Sequence, residues 1–253
     1  MSVFKKIENK WSQDSSGYDN LVRLQLEDKR KVNCWVNELD QVLGRRPLRI
    51  LEVGCGPGFL SILLTKMGHQ VKAIDGAEGM LKAARANFKR YHVEVESELE
   101  DGVTLEAEKD NTYDVIISRD VVWTLYDPEA AFARWKEVLK PGGQVVYYDG
   151  NYQTVKKTLK NFLWMRLSEI LIFVTEHIIY PKDAEETSGV FAELPMVKAD
   201  RPEADCRLLK EAGFCGVRSG EGRWQNDPLS MDFWKYGYQG RKFRVTAWKE
   251  LPV

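Results

Sequence analysis

The segment Ile50-Leu51-Glu52-Val53-Gly54-Cys55-Gly56-Pro57-Gly58 carries an apolar run into three closely spaced glycines, and a second apolar run, Val71-Lys72-Ala73-Ile74, closes on Asp75. Glycines let the backbone turn sharply after a buried strand and approach a ligand too closely for any Cβ. A carboxylate ending the neighbouring strand can accept hydrogen bonds from both hydroxyls of a ribose. Together they predict a nucleotide-type cofactor held over a strand-turn-helix. The spacing argues against one such cofactor. A dinucleotide fingerprint counted from Gly54 needs its third glycine at position 59, which is Phe59, so hydride chemistry with a nicotinamide is disfavoured.

Glu52, Gly54, Gly56 and Gly58 reproduce the pattern E/D-x-G-x-G-x-G, and this stretch resembles the first motif of the class I S-adenosylmethionine-dependent methyltransferases. Tyr113-Asp114-Val115-Ile116-Ile117-Ser118-Arg119 is similar to that family's fourth strand, and Val138-Leu139-Lys140-Pro141-Gly142-Gly143 to its turn before strand five. The likeness spans residues 11 to 150 and is looser beyond; in kind it is nearest to the ubiquinone- and menaquinone-biosynthesis enzymes that methylate small molecules. It implies an α/β, Rossmann-like methyltransferase fold, with S-adenosyl-L-methionine as cofactor and S-adenosyl-L-homocysteine as product.

The resemblance also implies roles. Glu52 would sit near the methionine end, with Gly54, Gly56 and Gly58 lining its path and Cys55 adding backbone or van der Waals contact. Asp75 would hold the ribose, Gly76 and Met80 would border the adenine, and Ser118 and Arg119 would present carbonyl groups near the amino group. For the acidic residue after strand three that faces the adenine amine, the choice is Glu98, beside Leu99. Glu100 and Asp101 are alternatives, because the family's usual Gly-Asp pair is absent. Tyr18 either closes over the methionine or merely caps the first helix.

On the acceptor side, Asp120, Trp123, Asp149, Asn151 and Tyr152 fall at the carboxyl ends of strands four and five, where open α/β sheets bind ligands. His177, Tyr180 and Asp120 are the candidate catalytic groups. Amine, thiol and hydroxyl acceptors make different demands: an amine must arrive unprotonated and a thiol as thiolate, while a hydroxyl or carbon acceptor wants a base. Trp123 and Tyr152 could wall an aromatic or cationic acceptor, or simply pack.

The elements that position these residues alternate between helical and strand periodicity. One N-terminal helix is expected through Leu21 to Leu43, stopped by Gly44. Strands follow at 49–53, 71–75, 92–96, 115–118 and 144–149, with helices at 58–67, around Met80 to Phe88, and at 129–139. A helix at 208–213, a strand near 216–218 and an alternating run from Lys242 to Trp248 close the chain. Two final strands with no helix between them suggest an antiparallel pair, and with the resemblance give the order 3-2-1-4-5-7-6 in a seven-stranded, mostly parallel sheet. The expectation is one domain over 1–253: an N-terminal helical segment (1–45), a cofactor-binding core (46–150), a helical lid insertion (151–204) and a C-terminal helix with the antiparallel pair (205–253). The insertion is too long for an ordinary connection, and its apolar 162–179 stretch reads as acceptor cover, core packing or a homodimer contact.

Bulk properties bound the function classes. With 37 basic and 38 acidic residues the net charge is −1, so no basic excess marks a nucleic-acid partner. Four cysteines without a C-x-x-C pair or zinc-type histidine spacing predict neither disulfides nor a metal. No apolar run reaches the roughly 20 residues of a membrane span, and the first residues lack the apolar core of a secretory signal; cytosol is the expected compartment. The expectation is methyl transfer to a small molecule. RNA or protein methylation, and a catalytically silent cofactor-binding module, are the competing readings.

Overall fold

Parallel strands that are buried on both faces read as near-continuous apolar runs, and the central strands do so apart from the buried Glu52 and Ser118. β1 (Arg49–Val53) and β4 (Tyr113–Arg119) bury Ile50, Leu51, Val53, Val115, Ile116 and Ile117. In the computed structural model, which describes residues 2–152, 158–176, 189, 191–221, 228–240 and 242–251, they sit at the centre of a seven-stranded sheet. β2 (Gln70–Asp75) and β3 (Glu96–Leu99) extend it on one side, and β5 (Leu139–Gly150) on the other, all in parallel. β7 (Lys242–Trp248) then runs antiparallel between β5 and β6 (Cys215–Glu221). The order β3-β2-β1-β4-β5-β7-β6 is the one expected from the sequence.

Helices cover both faces. α3 (Phe59–Lys66), α4 (Glu78–Arg90) and α5 (Pro128–Val138) connect the parallel strands. The start of α5 shows why: Asp127 accepts from Ala130 N, and Pro128 at the first turn needs no donor partner. α8 (Glu203–Glu211) precedes β6, after a short α7 (Pro195–Lys198).

The N-terminal segment departs from expectation. Instead of one helix there are two, α1 (Val3–Glu27) and α2 (Lys29–Leu43). Asp28, in extended conformation, breaks the run and caps α2 by accepting from Arg30 N and Lys31 N, while Gly44 ends it as expected. Strand three also lies further along than the expected 92–96. His92 adopts φ 54 and Val93 N donates to Phe88 O, so this stretch closes α4 and the strand begins only at Glu96.

Within the expected lid insertion, α6 (Leu159–Glu176) packs on α9 (Met231–Tyr236), with Trp164 against Phe233 and Trp234 and its Nε1 donating to Trp234 O. Its opposite stripe, including Phe162, Leu163, Ile170 and Val174, is exposed. No helix among the described residues is long and apolar enough to cross a membrane.

A buried ion cluster ties the segment before α8 to the end of β5. Arg201 NH2 donates to Asp149 at 2.9 Å and to Asp205 at 2.7 Å, and Tyr147 OH donates to Asp205. Removing the cation leaves two buried carboxylates facing one another. Arg201→Met is therefore expected to lower unfolding stability by about 3–5 kcal/mol, read as a shifted urea midpoint at unchanged slope; a midpoint within error of wild type refutes the assignment.

Candidate active site

The turn after β1 is stitched to β2 from below. Cys55 N donates to Ile74 O at 2.9 Å, and the two oxygens of Asp75 accept from Gly56 N and Ala77 N, each at 2.8 Å. The three glycines divide the work: all have positive φ, but a Cβ on Gly54 would lie 2.4 Å from Val121, and one on Gly58 2.5 Å from Phe88. A Cβ on Gly56, which borders the cavity, would meet no protein atom within 4 Å. Gly54 and Gly58 thus serve packing, and Gly56 is where a ligand can reach bare backbone. Gly58 does not itself line the cavity.

That cavity encloses about 540 Å³, within the range of a cofactor site. Gly54, Cys55 and Gly56 form its floor, with Glu52 beneath and Asp75, Gly76 and Met80 along one wall. Glu52 is fully buried and accepts from the Ser61 hydroxyl. Burial, reinforced by the charge of Asp75, pushes its carboxyl up to about 8 against the opposing hydrogen bond from Ser61. Burial likewise raises Asp75 to about 6, although the two backbone N–H groups oppose it.

The roof comes from α1, which presents Phe4, Ile7, Trp11, Tyr18, Val22 and Gln25 to the cavity. Those positions recur at helical spacing, a signal present in the sequence. The expected cover, α6, contributes no lining residue; of the described 151–204 insertion, Tyr152 and Phe191 do.

Beyond strand three, Glu98 and Leu99 do not border the cavity. Glu98 turns away to pair with Lys72 at 2.6 Å, and Leu99 is 53% exposed. Both alternatives, Glu100 and Asp101, border the cavity together with Gly102 and Val103, and Asp101 accepts from Val103 N and from Tyr126 OH. Lys72 also pairs with Glu108 at 2.7 Å, so two of the clustered acids Glu98, Glu100 and Glu108 are held by its ammonium.

At the far end lie Arg119, Asp120, Trp123, Tyr152, Phe191 and Lys242. Tyr152 OH donates to Asp120, and Trp123 Nε1 donates to Asp120 O. Asp120 sits in the left-handed region at φ 60. Burial would raise its carboxyl, but the charges of Lys242 and Arg119 outweigh that and lower it, which makes it a poor proton acceptor. Ser118, Asp149 and Asn151 are brought near this end without lining it. Ser118 is buried in β4, Asp149 is consumed by Arg201 and Trp123 N, and Asn151 donates to Arg201 O. His177 and Tyr180 lie outside the described residues. Lys242 escaped sequence reasoning because a lysine opening a strand is ordinary; its place follows from strand direction alone.

Known proteins agree with this architecture. Residues 51–147 match the model of a methyltransferase domain. A ubiquinone biosynthesis O-methyltransferase of Xanthomonas oryzae pv. oryzae is 34% identical over 110 residues, covering 42% of this chain and 46% of that protein. The match thus spans about half the length of the curated relative. A S-adenosylmethionine-dependent methyltransferase from Aquifex aeolicus superposes with TM-score 0.58 at 19% identity, over 94% of this chain and 97% of the other. Haemonchus contortus phosphoethanolamine N-methyltransferase 2, solved with phosphomonomethylethanolamine and S-adenosylhomocysteine, superposes with TM-score 0.57 at 17% identity, over 91% of this chain and 59% of that one. Residues 51–147 thus match the methyltransferase-domain model, and the chain has the fold of the class I methyltransferases.

The raised Glu52 has a measurable consequence. Its folded form holds a proton that the unfolded chain releases above about pH 4.5, so this contribution to stability is complete below that pH. It is lost as pH rises through about 8. Between those limits the ligand-free wild type should lose up to about 1.4 kcal/mol per pH unit relative to Glu52→Gln. Urea melts of both at pH 5, 6.5 and 8 test this; parallel pH dependence refutes it.

Proposed function

We propose that this chain transfers a methyl group from S-adenosyl-L-methionine to a small-molecule acceptor, releasing S-adenosyl-L-homocysteine. The observation that carries the reading is a single cavity with bare backbone at Gly56 and the Asp75 carboxylate at one end, and an aromatic chamber around Asp120 at the other. The residues fit such a cofactor. Each Asp75 oxygen already accepts one backbone N–H but keeps a lone pair for a ribose hydroxyl. Glu52, below the turn, is positioned for the amino-acid end, and Asp101 and Gly102 border the space left for a base.

When bound, the cofactor supplies an electrophilic methyl on a sulfonium whose charge disappears on transfer. The protein's part is orientation and exclusion of water. Phe4, Ile7, Trp11 and Val22 close the roof with apolar surface, while Trp123, Tyr152 and Phe191 wall the acceptor end. A concave site of about 540 Å³ on a chain of net charge −1 supports a small acceptor over RNA. We read residues 1–253 as one domain, with 1–45 rather than 151–204 as the principal cover. The four cysteines are unpaired, which supports a reducing compartment such as the cytosol.

Asp75→Ala is expected to weaken S-adenosylhomocysteine binding by roughly 1–3 kcal/mol, measured by calorimetry on variant confirmed folded by circular dichroism; unchanged affinity refutes the ribose role. Turnover of methyl-labelled cofactor over a panel of small acceptors tests the reaction itself. Tight cofactor binding with no transfer to any acceptor would favour a silent binding module.

The exposed stripe of α6 supports a homodimer, since contiguous apolar surface of this kind marks association sites and a two-fold contact lets one stripe meet its copy. Sedimentation should show a dimer that Ile170→Asp converts to monomer; a monomeric wild type refutes it.

A further inference from the structure

The wall after strand three is pinned from behind by the protein itself. Gly102 has no room for a side chain, since a Cβ there would lie 2.6 Å from Val53, and its carbonyl accepts from Trp135 Nε1 at 2.8 Å. Leu105 N donates to Asp101 O at 3.0 Å. The half-buried Asp101 is then held at both carboxylate oxygens: Oδ1 accepts from Val103 N at 2.8 Å, and Oδ2 from Tyr126 OH at 2.6 Å. Tyr126 itself borders the cavity, and Phe4 of the α1 roof packs edge-on against its ring, 5.9 Å between centroids.

Glu100 and Asp101, the acids on this wall, differ in what they can offer a ligand. Glu100 Oε1 accepts from Ala107 N at 2.9 Å, and its Oε2 is sealed from solvent beside Glu108. Asp101 keeps a lone pair on each oxygen after Val103 and Tyr126 are served. Tyr126 has its hydroxyl hydrogen directed at Asp101, so toward anything else its oxygen can only accept. Burial and the bond to Asp101 raise the phenol's pKa, and at neutral pH it keeps that proton. The polar side chains of the wall therefore present acceptors without a donor. A base that brings an amine completes them, and a base without one leaves them unpaired.

Resting on the methyl-transfer reading above, we infer that Tyr126 is a positioning residue that sets the preference for a 6-aminopurine, by holding the Asp101 carboxylate where the amine of the base can donate to it. Without the hydroxyl, Oδ2 loses a charge-assisted bond and Val103 N alone fixes the carboxylate, which is then free to turn away. Because the Tyr126 ring also meets Phe4, the roof buttresses the same hydroxyl.

Calorimetry with two ligands tests this: S-adenosylhomocysteine, and its analogue with unsubstituted purine in place of adenine. Wild type should bind the first roughly tenfold or more tighter. In Tyr126→Phe, which keeps the ring and is confirmed folded by circular dichroism, that ratio should shrink about threefold or more. The loss should fall on S-adenosylhomocysteine, with affinity for the analogue within about twofold of wild type. Asp101→Asn, whose amide oxygen accepts more weakly, should shrink the ratio as well. An equal loss for both ligands, as a purely structural role would give, overturns the assignment. So does an unchanged ratio in either variant, or a wild type without the preference. A wild type that binds neither ligand overturns the methyl-transfer reading instead.

Discussion

The carboxylate of Asp75 fixes the geometry on which the site depends. It ends β2 and accepts from Gly56 N in the turn after β1 and from Ala77 N before α4, so one side chain locks two connections that would otherwise be free to spread. Because it is half-buried, losing either partner would leave part of a charge poorly solvated, and that cost keeps the turn closed. The same two bonds point the remaining lone pairs into the cavity. Structural and ligand-binding roles are thus not alternatives at this residue: the backbone donors that hold the loop also hold the carboxylate in place for a sugar.

From that anchor the rest of the cavity follows by strand direction. β1, β2, β4 and β5 all end at one edge of the sheet, where Glu52, Asp75, Arg119 and the residues after Gly150 gather. β7 adds the first residue of an opposed strand to the same edge. α1 crosses over the top and excludes solvent with one aromatic and aliphatic stripe, while α2 returns the chain to the far face, packing Trp35 and Leu39 beneath α3 and the sheet. The roof is therefore local in sequence to neither the turn nor the acceptor chamber, and α6 is left to pack on α9 with its other face outward.

This division explains what the sequence could and could not reveal. Strand order was legible because paired apolar runs and the glycine turn constrain topology locally; the last two strands pair antiparallel as expected, although α9 lies between them where the sequence reading expected no helix. Asp75 was legible because its position at a strand end is itself the signal. Glu98 misled because alternation along a short edge strand is weakly determined: Lys72 on the neighbouring strand draws the side chain to the opposite side, and a charge partner across strands leaves no mark in the strand's own sequence. Asp149 misled for the same reason, since its partner Arg201 lies far along the chain. The N-terminal roof was overlooked because apolar residues at helical spacing announce burial but not what they are buried against.

The two ends of the cavity differ in electrical character, and that difference is consistent with one reaction direction. At the turn, carboxyls with raised pKa values, Glu52 and Asp75, face a region that gains from a positive ligand. At the chamber stands a half-buried ammonium, Lys242, whose pKa is lowered by burial. A cationic methyl donor would offset the desolvation of the carboxyl end, and an acceptor matched to the other end would offset its own. Water would weaken both attractions by screening them, so the apolar stripe of α1 does more than cover the site. It maintains the low-dielectric interior in which those attractions keep their strength.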